Sequence, residues 1–144
     1  MNEPFPVSDL IDYFAGSWSL HREIRDAAGN PVGSFTGTAG FTAEDGALGY
    51  REEGELCMGA HHGPAHRALR YVLDGPGRAE VFFDYGEFFH ALDLRTGECE
   101  ATHPCRDDVY RGHYRILGPH QWLQNWQVTG PTKNHELHTV FDRA

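Results

Sequence analysis

Two histidines and a cysteine in the middle of the chain are spaced to meet. Thr96-Gly97 is a two-residue turn signal between alternating segments. Paired across it, Arg95 faces Glu98, Leu94 faces Cys99, Leu92 faces Ala101, His90 faces His103 and Phe88 faces Cys105. Tyr85-Gly86, treated the same way, sets Phe83 against Phe88 and Val81 against His90. The shared face then runs Ala79, Val81, Phe83, Phe88, His90, Leu92, Leu94, Cys99, Ala101, His103 and Cys105. It is apolar apart from two imidazoles and two thiols, so it is expected to point inward. Directly opposed residues have Cβ atoms about 5 Å apart, which would put His90 against His103 with Cys105 one step further on. Three chemistries stay open there. Imidazoles titrate near neutrality and can act as an acid/base pair. His90, His103 and Cys105 are weak candidates to hold zinc, copper or iron. The same side chains can also simply complete a buried hydrogen-bond network.

A second set of polar residues falls on otherwise apolar strand faces: Arg22, Tyr50, Glu52, Tyr110, Tyr114, Gln124 and Thr139. An inward arginine with tyrosines can hold the carboxylate or phosphate of an amphipathic ligand. The alternative is an Arg22–Glu52 pair that satisfies itself. His61, His62 and His66 fall in the Gly/Pro-rich stretch 59–64 and just after it, and are expected on a surface loop. The face carrying Phe82 and Phe89 is expected outside, where a partner subunit in a homodimer could cover it.

The elements that must position these residues are short and regular. Seventeen glycines help place turn signals every 8–14 residues, and aromatic and β-branched runs lie between them. About ten strands are expected, near 16–25, 34–42, 47–57, 66–73, 78–84, 87–95, 98–105, 108–117, 121–129 and 134–143. One helix precedes them, with Ser8 as the cap, an apolar face of Leu10, Ile11, Tyr13 and Phe14, and Gly16 as the stop. The fold class is therefore all-β, with residues 1–144 as one domain. The expected architecture is an antiparallel up-and-down barrel whose short N-terminal helix closes one end.

Composition narrows the function. Twelve basic residues against 21 acidic ones give a net charge of −9. That argues against nucleic acid, which needs a basic surface, and against anionic membranes. No stretch reaches the roughly 20 apolar residues of a membrane helix. The N-terminal MNEPFPVSDL has no basic or apolar leader region, and three cysteines are too few for a disulfide framework. The expected compartment is the cytoplasm.

Gly16-Ser17-Trp18 at the start of the first strand resembles the G-x-W signature of lipocalins and their calycin relatives. Arg143 resembles the late basic residue that packs over that tryptophan in such barrels. The segments FFHALDL (88–94), HPCRDDVYRG (103–112) and WQVTGPTK (126–133) resemble an uncharacterised bacterial family of lipocalin-like proteins. That resemblance implies the barrel and no activity. A more distant similarity to the nitrobindins and fatty-acid-binding barrels implies, for the former, haem held by a late histidine. His135 and His138 lie in that region, but Ser19-Leu20-His21-Arg22 stands where nitrobindins carry a glycine-rich extension. Together these observations lead to a barrel that binds a hydrophobic or amphipathic, possibly anionic, small molecule. The ligand-contacting residues would be Arg22, Tyr50, Glu52, His90, His103, Tyr110 and Gln124. A cavity enzyme using His90, His103, Tyr110 and Glu52 as acid/base groups, and a haem or metal protein, are the alternatives.

Overall fold

The computed structural model describes residues 3–144. The alternation of apolar and polar residues is realised as β1 (Gly16–Asp26), β2 (Pro31–Glu44), β3 (Ala47–Met58), β4 (His61–Leu73), β5 (Arg78–Phe83), β6 (Phe88–Asp93), β7 (Glu98–Cys105), β8 (Asp108–Gly118), β9 (Gln121–Thr129) and β10 (Asn134–Arg143). They form one antiparallel sheet in the order β6-β5-β4-β3-β2-β1-β10-β9-β8-β7. This is an up-and-down barrel, nearly closed, with a seam where β6 meets β7. Ring packing crosses the seam, with Phe89 and His103 at 5.2 Å, but no ladder of backbone bonds is found there among the described residues.

One end is sealed by aromatic packing. Helix α1 (Leu10–Phe14) is capped by Asp9, whose side chain accepts from the Asp12 N–H at 3.0 Å. The cap is thus Asp9 and not Ser8, because the Asp9 carboxylate reaches the N–H three residues on. Ala15 ends the helix, and Gly16, with φ of 117°, turns the corner into β1. The Phe14 ring enters the barrel between Phe41 (4.9 Å) and Trp122 (5.1 Å). Trp18 donates its indole N–H to the Phe14 carbonyl at 2.9 Å, and the Arg143 guanidinium lies 4.1 Å from the Trp18 ring. Arg143 also donates to the Tyr13 carbonyl. The chain before the helix sews the seam at this end, through Val7 N–H to Leu94 O (2.9 Å) and Phe5 N–H to Ile116 O (2.8 Å).

The connections depart from expectation in three places. First, the turn between β3 and β4 contracts to Gly59-Ala60, so His61, His62 and His66 lie on strand β4, still exposed. Second, the β5–β6 turn takes residues 84–87, and the register slips between Val81 and Phe82. Val81 still pairs with His90, but Phe82 then pairs with Phe88. Phe88 stands outside against Phe82, and Phe89 turns inward next to His90; two successive inward residues are the mark of a bulge. The outward aromatic pair is therefore Phe82–Phe88 and not Phe82–Phe89. Third, Thr96-Gly97 does not set β6 against β7. The Leu94 N–H bonds to Gly77 O, and the Gly97 carbonyl accepts from Ile116, so the two strands diverge to opposite sides of the seam. Arg95 pairs with Asp93 and Glu98 with Arg115, and the expected Arg95–Glu98 and His90–His103 pairs do not form.

The opposite end is less filled, and its strands say why. Leu20, Gly37, Gly54 and Ala65 follow one another across β1 to β4 in register. Two of the four contribute no side chain. Gly37 and Gly54 face each other so closely that a Cβ on Gly54 would sit 2.3 Å from Thr36 O. Gly54→Ala is accordingly expected to lower stability by about 1–3 kcal/mol, the cost of forcing apart a packed interior. Urea unfolding reads this directly, and an unchanged midpoint would show that the strands can part freely there.

Candidate functional site

The inner wall beside the glycine row carries a buried carboxylate. Glu52 on β3 is 3% exposed and accepts four hydrogen bonds. Arg22 from β1 delivers two, Nη1 to Oε2 at 2.7 Å and Nη2 to Oε1 at 3.1 Å. Tyr50 donates its hydroxyl to Oε1 at 2.6 Å, and Arg67 from β4 donates Nη2 to the same oxygen at 3.3 Å. Arg22 Nε turns to Thr139 Oγ1 on β10 at 2.9 Å. The register sets Arg22 four residues beyond the level of Glu52, which is that of Trp18, and the level between them is the one that Gly37 and Gly54 leave without side chains. Burial pushes the Glu52 carboxyl up, but the Arg22 hydrogen bonds and the charges of Arg67 and Arg22 outweigh it and hold the group at about 2.

A second buried chain runs from His90. Its Nδ1 lies 2.9 Å from the Ala91 carbonyl and its Nε2 lies 3.2 Å from the Tyr114 hydroxyl. A neutral imidazole with the proton on Nδ1 satisfies both, with Tyr114 donating to Nε2. Burial holds His90 down at about 4 and pushes the Tyr114 hydroxyl up to about 12. Phe89 separates His90 from His103, with both imidazoles packed edge-on to its ring at 4.6 and 5.2 Å.

Between these groups and the seam lies a cavity of about 260 Å³. Arg22, Arg67, Gln124, Tyr110 and His103 line it together with Phe83, Phe89, Trp126 and Leu137, while Tyr85, Glu87 and Cys105 belong to its mouth. The mouth exists because β5 and β6 are short. β5 pairs only with the 69–73 part of β4, so the wall beyond it is incomplete. The apolar side is a run of near-parallel rings: Tyr85 on Phe83 (5.3 Å, 3°), Phe83 on Phe89 (4.5 Å, 21°) and Phe89 on Trp126 (5.0 Å, 19°). Gln124 is 3% exposed, and its Oε1 finds no hydrogen-bond donor among the described residues; Arg67 Nε likewise finds no acceptor.

Of the seven residues expected to contact a ligand, Arg22, His103, Tyr110 and Gln124 reach this cavity. Tyr50 and Glu52 stand behind the arginines, and His90 stands behind Phe89. The acid/base set His90, His103, Tyr110 and Glu52 is thus divided. Glu52 is consumed by its ion pairs and His90 by its two hydrogen bonds, while His103 and Tyr110 face each other at 6.1 Å between ring centroids. Arg67 and the aromatic run escaped the sequence reading. The signal for Arg67 was present: a two-residue turn at Gly59-Ala60 sets it directly opposite Glu52, whereas a loop over 59–64 hides it.

The metal candidates do not converge. No group of three or more His, Cys, Asp or Glu side chains placed to hold a metal ion occurs among the described residues. His138 points outward to Asn125 and Glu136, and His135 sits at the barrel rim beside Ile24 and Val32. Neither lines the cavity, which is also small for a porphyrin, so these residues do not fit the haem that the distant resemblance implied. A wider groove of about 480 Å³ crosses the outer face of β7 to β10. Its histidines already face acceptors there, His113 with Glu98 at 3.3 Å and His138 with Glu136 at 2.9 Å. No helix among the described residues is long and apolar enough to cross a membrane.

Comparisons with known proteins agree with this geometry. A family model described as a family of unknown function (DUF6314) matches residues 14–143. No curated protein matches the chain. Among solved structures, the S-type phycobiliprotein lyase CPES from Guillardia theta superposes with a TM-score of 0.66 at 10% identity, covering 93% of this chain and 90% of that one. A protein of unknown function of the DUF3598 family from Nostoc punctiforme superposes with a TM-score of 0.65 at 10% identity, covering 98% of this chain and 51% of that one. EF1p2_mFAP2b, bound to DFHBI, superposes with a TM-score of 0.52 at 11% identity, covering 92% of this chain and 95% of that one. These likenesses show the fold, an antiparallel β-barrel.

Acid should attack the site in a fixed order. His90 and Glu52 are held below their ordinary values of 6.5 and 4.5. Their stabilisation is complete above pH 6.5 and is lost as the pH falls, first through His90 between 6.5 and about 4, then through Glu52 between 4.5 and about 2. Each contributes up to about 3 kcal/mol. The denaturant midpoint should therefore drop steadily below pH 6.5, and a flat midpoint down to pH 4 would contradict a buried neutral His90. Glu52→Gln strands the arginine charges and should cost about 3–5 kcal/mol at pH 7.

Proposed function

Since the chain belongs to DUF6314, whose function is unknown, we propose its function from the cavity: the barrel binds a small, flat, conjugated molecule. The observation that carries this reading is the run of near-parallel rings from Tyr85 through Phe83 and Phe89 to Trp126 along one wall. Aromatic rings gain about 0.5–1.5 kcal/mol beyond area burial when stacked with an offset, and a flat ligand can continue that stack. The polar part of the lining is Arg22, Arg67, Tyr110, His103 and Gln124, with His103 edge-on to Phe83 and Phe89. Ligand sites combine this apolar lining with a few convergent polar groups that fix orientation. A volume of about 260 Å³ sits just below the usual range for drug-sized ligands and suits one or two fused rings. The similarity to a barrel that binds DFHBI supports the same reading at the level of the fold.

A titration with 2-naphthol tests it. One molecule should bind per chain and quench Trp126 fluorescence. Leu137→Trp, which fills the cavity from β10, should abolish binding while leaving the far-ultraviolet circular dichroism unchanged. Binding that ignores this substitution, or no binding of any naphthalene-sized probe, would remove the proposal.

A further inference from the structure

We infer that the ligand of this cavity carries one negative charge and that Arg67 is the residue that reads it; this rests on the flat-ligand reading above. Two guanidinium groups, Arg22 and Arg67, share one carboxylate, Glu52. No second acidic side chain touches either arginine among the described residues, so the wall is left with one surplus positive charge. Glu87, the other carboxylate near the cavity, stands at the exposed mouth, where water screens it.

The two arginines are not equivalent. Arg22 is spent: its Nε is bonded to Thr139, its two terminal nitrogens hold both Glu52 oxygens, and its side chain is 10% exposed. Arg67 has five N–H groups. It makes one hydrogen bond among the described residues, the long 3.3 Å contact to Glu52 that Arg22 and Tyr50 already satisfy. Its side chain is 36% exposed and lines the cavity. A guanidinium with free parallel donors binds a carboxylate through two bonds at once, which gives direction as well as attraction. Gln124 lines the same cavity with a buried Oε1 that no donor among the described residues reaches, an acceptor that a carboxylate cannot satisfy and that calls for an O–H or N–H elsewhere on the ligand. A planar acid stacked on the Phe89–Trp126 wall with its carboxylate toward Arg67 neutralises the surplus charge. A dianion would not gain again, because its second charge would lie toward the mouth, near Glu87.

Isothermal titration with four probes of one shape decides this. Wild-type protein should bind 2-naphthoate at least about tenfold tighter than neutral 2-naphthamide, the ratio expected of one charge-assisted pair. It should bind naphthalene-2,6-dicarboxylate no tighter than 2-naphthoate, and the cationic 2-naphthylmethylamine weakest. Arg67→Gln should remove the preference, bringing naphthoate down to the level of the amide, and far-ultraviolet circular dichroism shows separately that the barrel has survived. Arg67→Lys, which restores the charge, should recover part of the preference and covers the case in which Arg67→Gln does not fold. Equal binding of acid and amide by the wild type would overturn the inference but leave the flat-ligand reading standing. A preference that survives in Arg67→Gln, or that is absent from a folded Arg67→Lys, would take the role away from Arg67. A dianion bound tenfold tighter than the monoanion would overturn the single-charge count. If none of the four binds, the flat-ligand reading falls and this inference falls with it.

Discussion

The structure turns on a carboxylate buried inside the barrel. Glu52 lies inside the barrel, and taking a lone carboxylate there would cost several kcal/mol, far more than one arginine at a surface returns. It is tolerable because donors converge on it from β1, β3 and β4, while Arg22 also ties β10 through Thr139. Four strands are thereby fixed in register by one anion. The same arrangement dictates what cannot be there. The Arg22 side chain needs a clear lane to Glu52, so the intervening positions are Gly37 and Gly54, and the interior on that side cannot be packed solid.

The barrel is consequently two different materials end to end. Around α1, Phe14, Trp18, Phe41, Trp122 and Phe141 fill the interior ring against ring, with Trp122 and Phe141 stacked at 3.8 Å. Away from α1 the interior is bounded by an ion-paired wall on one side and an aromatic run on the other. The seam passes beside that run, and ring packing crosses it there with no backbone ladder among the described residues. Elements held by few backbone bonds open at lower free energy than the core, so the hollow half is also the half that can admit a molecule.

Much of this was legible in the residues, and the failures have a common cause. Strand positions, the inward direction of Arg22, Glu52, His90 and Gln124, and the Trp18–Arg143 closure follow from period-two alternation and from Gly16-Ser17-Trp18. Alternation is a property of each strand alone, so it survives errors elsewhere. The position of His103 relative to His90, and the direction of Phe88 and Phe89, depend on how two strands are joined. One inserted residue at Val81–Phe82 reverses a face, and the bonds of Leu94 and Gly97 to third parties cancel a hairpin that the dipeptide Thr96-Gly97 invites. Arg67 was hidden for the same reason, by a turn tighter than its glycines and prolines suggested.

The sealed end has a consequence for how the chain reaches this state. Its closure joins the two ends of the sequence: β1 pairs with β10, Arg143 lies on Trp18, and Phe5 bonds to β8. The other ladders connect neighbours in sequence and can form as hairpins while the chain is still growing. During synthesis β1 must wait for the last strand, with one edge bare the whole time. That edge strand alternates its apolar Trp18, Leu20 and Ile24 with Ser17, Ser19, His21, Glu23 and Arg25, and polar and charged residues along a strand are the means by which proteins keep an unpaired edge from recruiting another chain. The polar half of β1 faces water in the finished barrel, where Glu23 pairs with Arg25 and His21 with Thr36, and the same residues guard the bare edge before the barrel exists.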